Sequence, residues 1–97
     1  MYSVLISSPL HILLAEKPDF NPTCSEATIP QKYRELIALA VSFSTQCPYC
    51  IEVHTKAAKG AGASREEITE SSFITAALRA GGAATHGAMA LKFYDQP

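Results

Sequence analysis

From its amino end, the chain alternates between apolar runs with helical spacing and short polar or proline-rich breaks. The first run, "SPLHILLAEK", sets Ser8 as an N-cap ahead of Pro9 and predicts a helix over residues 9–17, stopped by Pro18. Residues 18–27, "PDFNPTCSEA", hold two prolines and several turn formers and read as a loop. In "TIPQKYRELIALAVSFSTQ", Thr28 and Gln31 have capping-box spacing and Pro30 falls in the first turn. Tyr33, Leu36, Ile37, Ala40 and Val41 then recur at i, i+3, i+4, i+7 and i+8, which predicts a helix over 29–45. Residues 36–41 are apolar on every side, so this helix is expected to be central and buried.

Pro48 disfavours helical geometry at Cys47 and lacks an amide hydrogen, so a break is expected there. Cys47 becomes the N-cap, Pro48 the first residue and Cys50 the third residue of a helix over 48–60, ended by Gly60 or Gly62. Ser64 and Glu67 form a second capping-box spacing and open a helix over 65–80. Gly81-Gly82 is expected to divide it from a last helix over 83–94. The one strand-like stretch, "YSVLI" at residues 2–6, equally suits an extended arm. The pattern predicts one all-α domain over residues 1–97 with about five helices, residues 1–27 being its least defined part.

Composition changes this picture in one respect. Of only 97 residues, 47% are hydrophobic, more than so small a core absorbs, and a homo-oligomer is expected to cover the remainder. The net charge is −1 and no run of Lys or Arg occurs, which argues against nucleic acid as a partner. The apolar N-terminus lacks the basic start and cleavage site of a targeting segment. "FITAALRAGGAATHGAMAL" is long enough for a bilayer but carries Arg79, His86 and three glycines, and suits helix packing better than a membrane. A cytoplasmic location is expected. Three cysteines cannot complete a disulfide framework, and a close pair in a reducing compartment points to redox or metal chemistry.

That pair lies in "TQCPYCIEVHTK". Cysteines at i and i+3 across a helix start are within disulfide reach, and the unpaired amides there favour a thiolate. Cys50, inside the first turn, is the expected beneficiary. His54, one turn beyond Cys50, is placed to take or return a proton, and Glu35 on the preceding helix is placed to orient it. Plainer readings compete. The cysteines serve as small apolar residues, or they bind zinc with His54 and a fourth ligand recruited from Cys24 or His86. Glu35 is then a solvated charge, His11 and His86 are structural or surface histidines, and Cys24 is an incidental thiol. Tyr33, Tyr49 and Phe73 read as core or interface before substrate contacts.

Glu35, Cys47, Cys50 and His54 together reproduce the spacing E-x(11)-C-x-x-C-x-x-x-H. Over roughly residues 28–95, with the "GASREE" helix start and Ala-rich final helices, the chain resembles the alkylhydroperoxidase D-like branch of the carboxymuconolactone decarboxylase family. The resemblance implies an all-helical fold assembling into dimers, trimers or hexamers, and thiol-dependent reduction of hydroperoxides. It implies Cys50 as the peroxidatic thiolate, Cys47 as the resolving thiol, and His54 with Glu35 as a proton relay. No metal or organic cofactor is implied; the reductant would be a lipoyl or thioredoxin-like dithiol. The family's lactone decarboxylases lack the cysteine pair, so that activity is not the expected one. Tyr49 stands where the best-known hydroperoxidases have a histidine between the cysteines, and a phenol with pKa near 10 does not replace an imidazole as a shuttle at neutral pH. The rival class is a non-catalytic zinc-binding or redox-sensing module built on the same thiols.

Overall fold

A computed structural model describes residues 9–17 and 28–97; Ser8, Cys24, the "YSVLI" stretch and the expected loop over 18–27 lie outside the described residues. Every regular element among the described residues is an α-helix: α1 (Pro9–Glu16), α2 (Gln31–Thr45), α3 (Pro48–Gly60) and α4 (Arg65–Tyr94). The chain divides into two compact units, Met1–Pro30 and Gln31–Pro97. In the first, α1 buries none of its residues, and Lys17 Nζ donates to Thr28 Oγ1 at 3.1 Å.

In the second unit α2 is the central helix, packed against both α3 and α4. It starts at Gln31, two residues later than its sequence pattern suggests, because the Thr28–Gln31 box is not made. Thr28 accepts from Lys17 instead, and Gln31 turns forward, donating to Glu35 Oε1 at 3.3 Å and accepting from Arg34 Nη2 at 2.9 Å. The apolar run 36–41 is central but not enclosed. Leu39 is fully buried, while Tyr33, Ile37 and Val41 on the open face remain 49%, 52% and 57% exposed. A helix touched by neighbours on two sides covers only those sides.

Against α4, α2 packs in parallel through a ladder of polar contacts. Ser71 Oγ donates to the Leu36 carbonyl at 3.1 Å, Thr75 Oγ1 to that of Ala40 at 3.4 Å, and Arg79 Nη1 to that of Ser44 at 3.1 Å. Each rung is one helical turn on from the last. Small side chains permit this close approach, and the buried hydroxyls of Ser42 and Thr75 also bond carbonyls of their own helices, Ala38 at 2.7 Å and Ser71 at 2.9 Å.

From α3 onward, helix ends follow the sequence signals with one exception. After α3, Gly62 takes φ +96°, with its amide bonded to Lys59 O and that of Ala63 to Ala58 O, a Schellman closure for which glycine is suited. Ser64 and Glu67 form a complete capping box at the start of α4. The exception is Gly81-Gly82, which does not divide the chain: α4 continues unbroken for 30 residues. Neither glycine adopts positive φ, and the alanines around them sustain the helix despite a cost of about 1 kcal/mol per glycine. Among the described residues, four helices therefore stand where the pattern suggested five.

Candidate active site

The turn between α2 and α3 builds the thiol site. Gln46 closes α2 in the left-handed region, φ 57°, and the Cys47 amide reaches back to the Ser42 carbonyl at 3.2 Å. Arg79 reinforces this helix end, its Nη1 also lying 3.0 Å from Ser44 Oγ. Cys47 is thus the last residue of one helix closure and, with extended backbone, the N-cap of the next. Pro48 follows at the first helical position, where its missing amide costs nothing.

As cap, Cys47 Sγ accepts the Cys50 amide at 3.3 Å, and both thiols are free and half-buried. The amide expected to favour a thiolate at Cys50 is therefore spent on Cys47. A hydrogen bond from the Cys50 thiol, followed by the backbone amide, holds Cys47 below the ordinary thiol pKa. Cys50 is pushed up, first by that shared proton and then by desolvation. When the pair gives up its first proton, the negative charge therefore rests on Cys47.

Glu35 and His54 come together across 19 residues of sequence. His54 Nδ1 donates to Glu35 Oε2 at 2.7 Å, and Glu35 Oε1 accepts from Gln31, so both carboxylate oxygens are engaged. The Glu35 side chain is only 16% exposed, which removes the reading of a solvated charge. With Nδ1 committed, His54 keeps Nε2 as its exchangeable nitrogen, on the face of α3 one turn beyond Cys50. Tyr49, between the cysteines, points outward at 76% exposure. His86 is exposed and bonds the Gly82 carbonyl at 3.0 Å within its own helix, away from a ligand role. No three His, Cys, Asp or Glu side chains among the described residues converge as a metal site.

Arg79, as the clamp on the helix end carrying Cys47, was not singled out from sequence. The Ser71–Thr75–Arg79 repeat at four-residue spacing, within an otherwise Ala-rich helix, was the available signal.

A model of the carboxymuconolactone decarboxylase family matches residues 21–93, well over half of the chain. The chain belongs to this family. Among curated proteins, it is 40% identical over 72 residues to "Uncharacterized protein 4 in cox locus" of Paracoccus denitrificans. The matched region covers 74% of this chain and 65% of that relative, so the chain spans about two-thirds of the length of the protein it resembles. The family includes decarboxylases and alkylhydroperoxidases, and this member carries the cysteine pair. No described helix is long and apolar enough to cross a membrane.

Proposed function

We propose that this chain reduces hydroperoxides by cycling a Cys47–Cys50 disulfide, with an external dithiol, lipoyl or thioredoxin-like, restoring the thiols. The supporting observation is the Glu35–His54 pair at 2.7 Å, with His54 one helical turn beyond Cys50 and Cys47 hydrogen-bonded to the Cys50 amide. A structural cysteine pair needs no oriented histidine one turn away.

In this scheme Cys50 passes its proton across the shared hydrogen bond to Cys47 and attacks the distal peroxide oxygen. The O–O bond breaks, the Cys50 sulfur is oxidised to a sulfenic acid, and the alkoxide takes the proton that the thiol pair had passed to His54 Nε2 on ionising. Cys47, now the thiol, displaces the sulfenic hydroxyl; the S–S bond forms and its proton leaves with the hydroxide as water. One hydroperoxide and two thiols become an alcohol, water and a disulfide. Glu35 acts through His54, fixing which nitrogen faces the reaction. Such a cycle needs a reducing compartment, as the cytoplasm provides.

Mass spectrometry after one equivalent of hydroperoxide tests the reading. Cys47→Ser should stop at a sulfenic acid on Cys50, and Cys50→Ser should lose peroxide consumption. His54→Ala should lower kcat/KM by ~10²–10⁴, the usual range for acid–base assistance. Glu35→Gln should lower it less and displace the pH profile. If neither cysteine of the pair oxidises faster than Cys24, the proposal fails.

A further inference from the structure

Three residues at the start of α2 form a hydrogen-bonded line that ends on His54. Arg34 Nη2 donates to Gln31 Oε1 at 2.9 Å, and Gln31 Nε2 donates to Glu35 Oε1 at 3.3 Å. Glu35 Oε2 in turn accepts from His54 Nδ1 at 2.7 Å. Gln31, Arg34 and Glu35 stand at i, i+3 and i+4, the spacing that sets three side chains over one helical turn.

The ends of this line force its direction. A guanidinium only donates and an ionised carboxylate only accepts. Between them a primary amide has one favourable orientation, oxygen toward Arg34 and nitrogen toward Glu35. The flipped amide sets nitrogen against guanidinium and oxygen against carboxylate, and both bonds become repulsions. A carboxylate turns about a broad terminal torsion, so a bond to His54 alone leaves it free to swing. The second bond, from Gln31 to Oε1, fixes its plane and keeps Oε2 on the imidazole. A water can also donate to Oε1, but nothing in the chain then fixes where that donor stands.

Arg34 is poorly employed as a packing residue. Its Nε and Nη1 are enclosed and have no hydrogen-bond partner among the described residues. Enclosed N–H groups left unpaired cost free energy, and the one bond from Nη2 leads toward His54.

We propose that Gln31 and Arg34 are positioning residues of the thiol site. Arg34 sets the Gln31 amide, Gln31 sets the Glu35 carboxylate, and Glu35 holds His54 as its Nδ1–H tautomer with Nε2 left for proton transfer. The kinetic consequence rests on the peroxidase reading; the orientation of His54 does not.

Nitrogen NMR of the imidazole tests this in the wild type and four variants, each also melted by circular dichroism. Neutral His54 in the wild type should be almost wholly the Nδ1–H tautomer. Gln31→Met and Arg34→Met should each change the tautomer ratio by about two- to tenfold, the worth of one hydrogen bond, and lower peroxide kcat with KM unchanged. Arg34→Lys keeps a donor and should stay close to the wild-type spectrum. Gln31→Glu separates positioning from stability. An acid in the first turn of α2 suits the macrodipole and should hold or raise the melting temperature. The same change sets a carboxylate against Glu35 Oε1, and the tautomer should shift at least as far as in Gln31→Met. A His54 spectrum unchanged in Gln31→Met and Gln31→Glu would overturn the proposal. So would an Arg34→Lys spectrum no nearer the wild type than that of Arg34→Met. Tautomer shifts as expected in a protein that consumes no peroxide would uphold the positioning and sink the peroxidase reading alone.

Discussion

At the scale of single residues, the order of deprotonation within the cysteine pair is the most exposed consequence of the geometry. Cys47 sits below the ordinary thiol range because the Cys50 thiol and then the Cys50 amide stabilise its ion; Cys50 sits above it for the complementary reason. Limiting alkylation should therefore label Cys47 first. The thiolate fraction of Cys47 should persist to lower pH than that of an ordinary cysteine, while Cys50 should be alkylated more slowly than Cys47. In Cys50→Ala the largest stabilising contact is gone, and labelling of Cys47 at neutral pH should slow. Equal labelling of both sulfurs across the pH range would contradict the shared proton. Sequence spacing brought Glu35, Cys47, Cys50 and His54 into view because helical faces follow from position alone. It could not say which sulfur receives the one amide at the helix start, since that depends on the extended backbone of Cys47 and on Gln46 in the left-handed region.

At the scale of elements, the boundaries governed by backbone chemistry were legible and those governed by competition were not. Pro48, Gly62 and the Ser64–Glu67 box acted as expected because each signal has few alternatives. Thr28–Gln31 had the same box spacing, but Lys17 took the threonine hydroxyl and Glu35 the glutamine amide. Gly81-Gly82 looked like a break, yet a glycine pair weakens a helix without forcing φ positive, and the flanking alanines carry the helix through. Nothing lies within 4 Å of a Cβ added at Gly81 or Gly82, so Gly81→Ala and Gly82→Ala should each stabilise the protein by ~0.5–1 kcal/mol. Thermal melts of both variants check this; a lowered midpoint in either would mean that a neighbour occupies the space beside that glycine.

At the scale of the molecule, the surplus of apolar residues noted in the sequence takes a definite place. Only Leu39 and Ala58 are fully enclosed hydrophobic residues among those described, while Ile37 and Val41 on α2 and Leu78, Leu91 and Phe93 on α4 lie open. Burying Leu39 contributes about 1.5–3 kcal/mol, which is small beside the order of 1 kcal/mol or more per residue that fixing a backbone costs. A core this limited does not hold a 30-residue helix along its whole length. If a second copy supplies the missing burial, association and folding become one equilibrium, and stability depends on protein concentration by mass action. The unfolding midpoint should rise steadily from 1 to 100 micromolar. At the lower concentration, amide hydrogen exchange should keep protection in α2 and α3 and lose it in α4 beyond Arg79. A midpoint independent of concentration, with α4 protected along its length in a monomer, would mean that one chain holds the helix unaided.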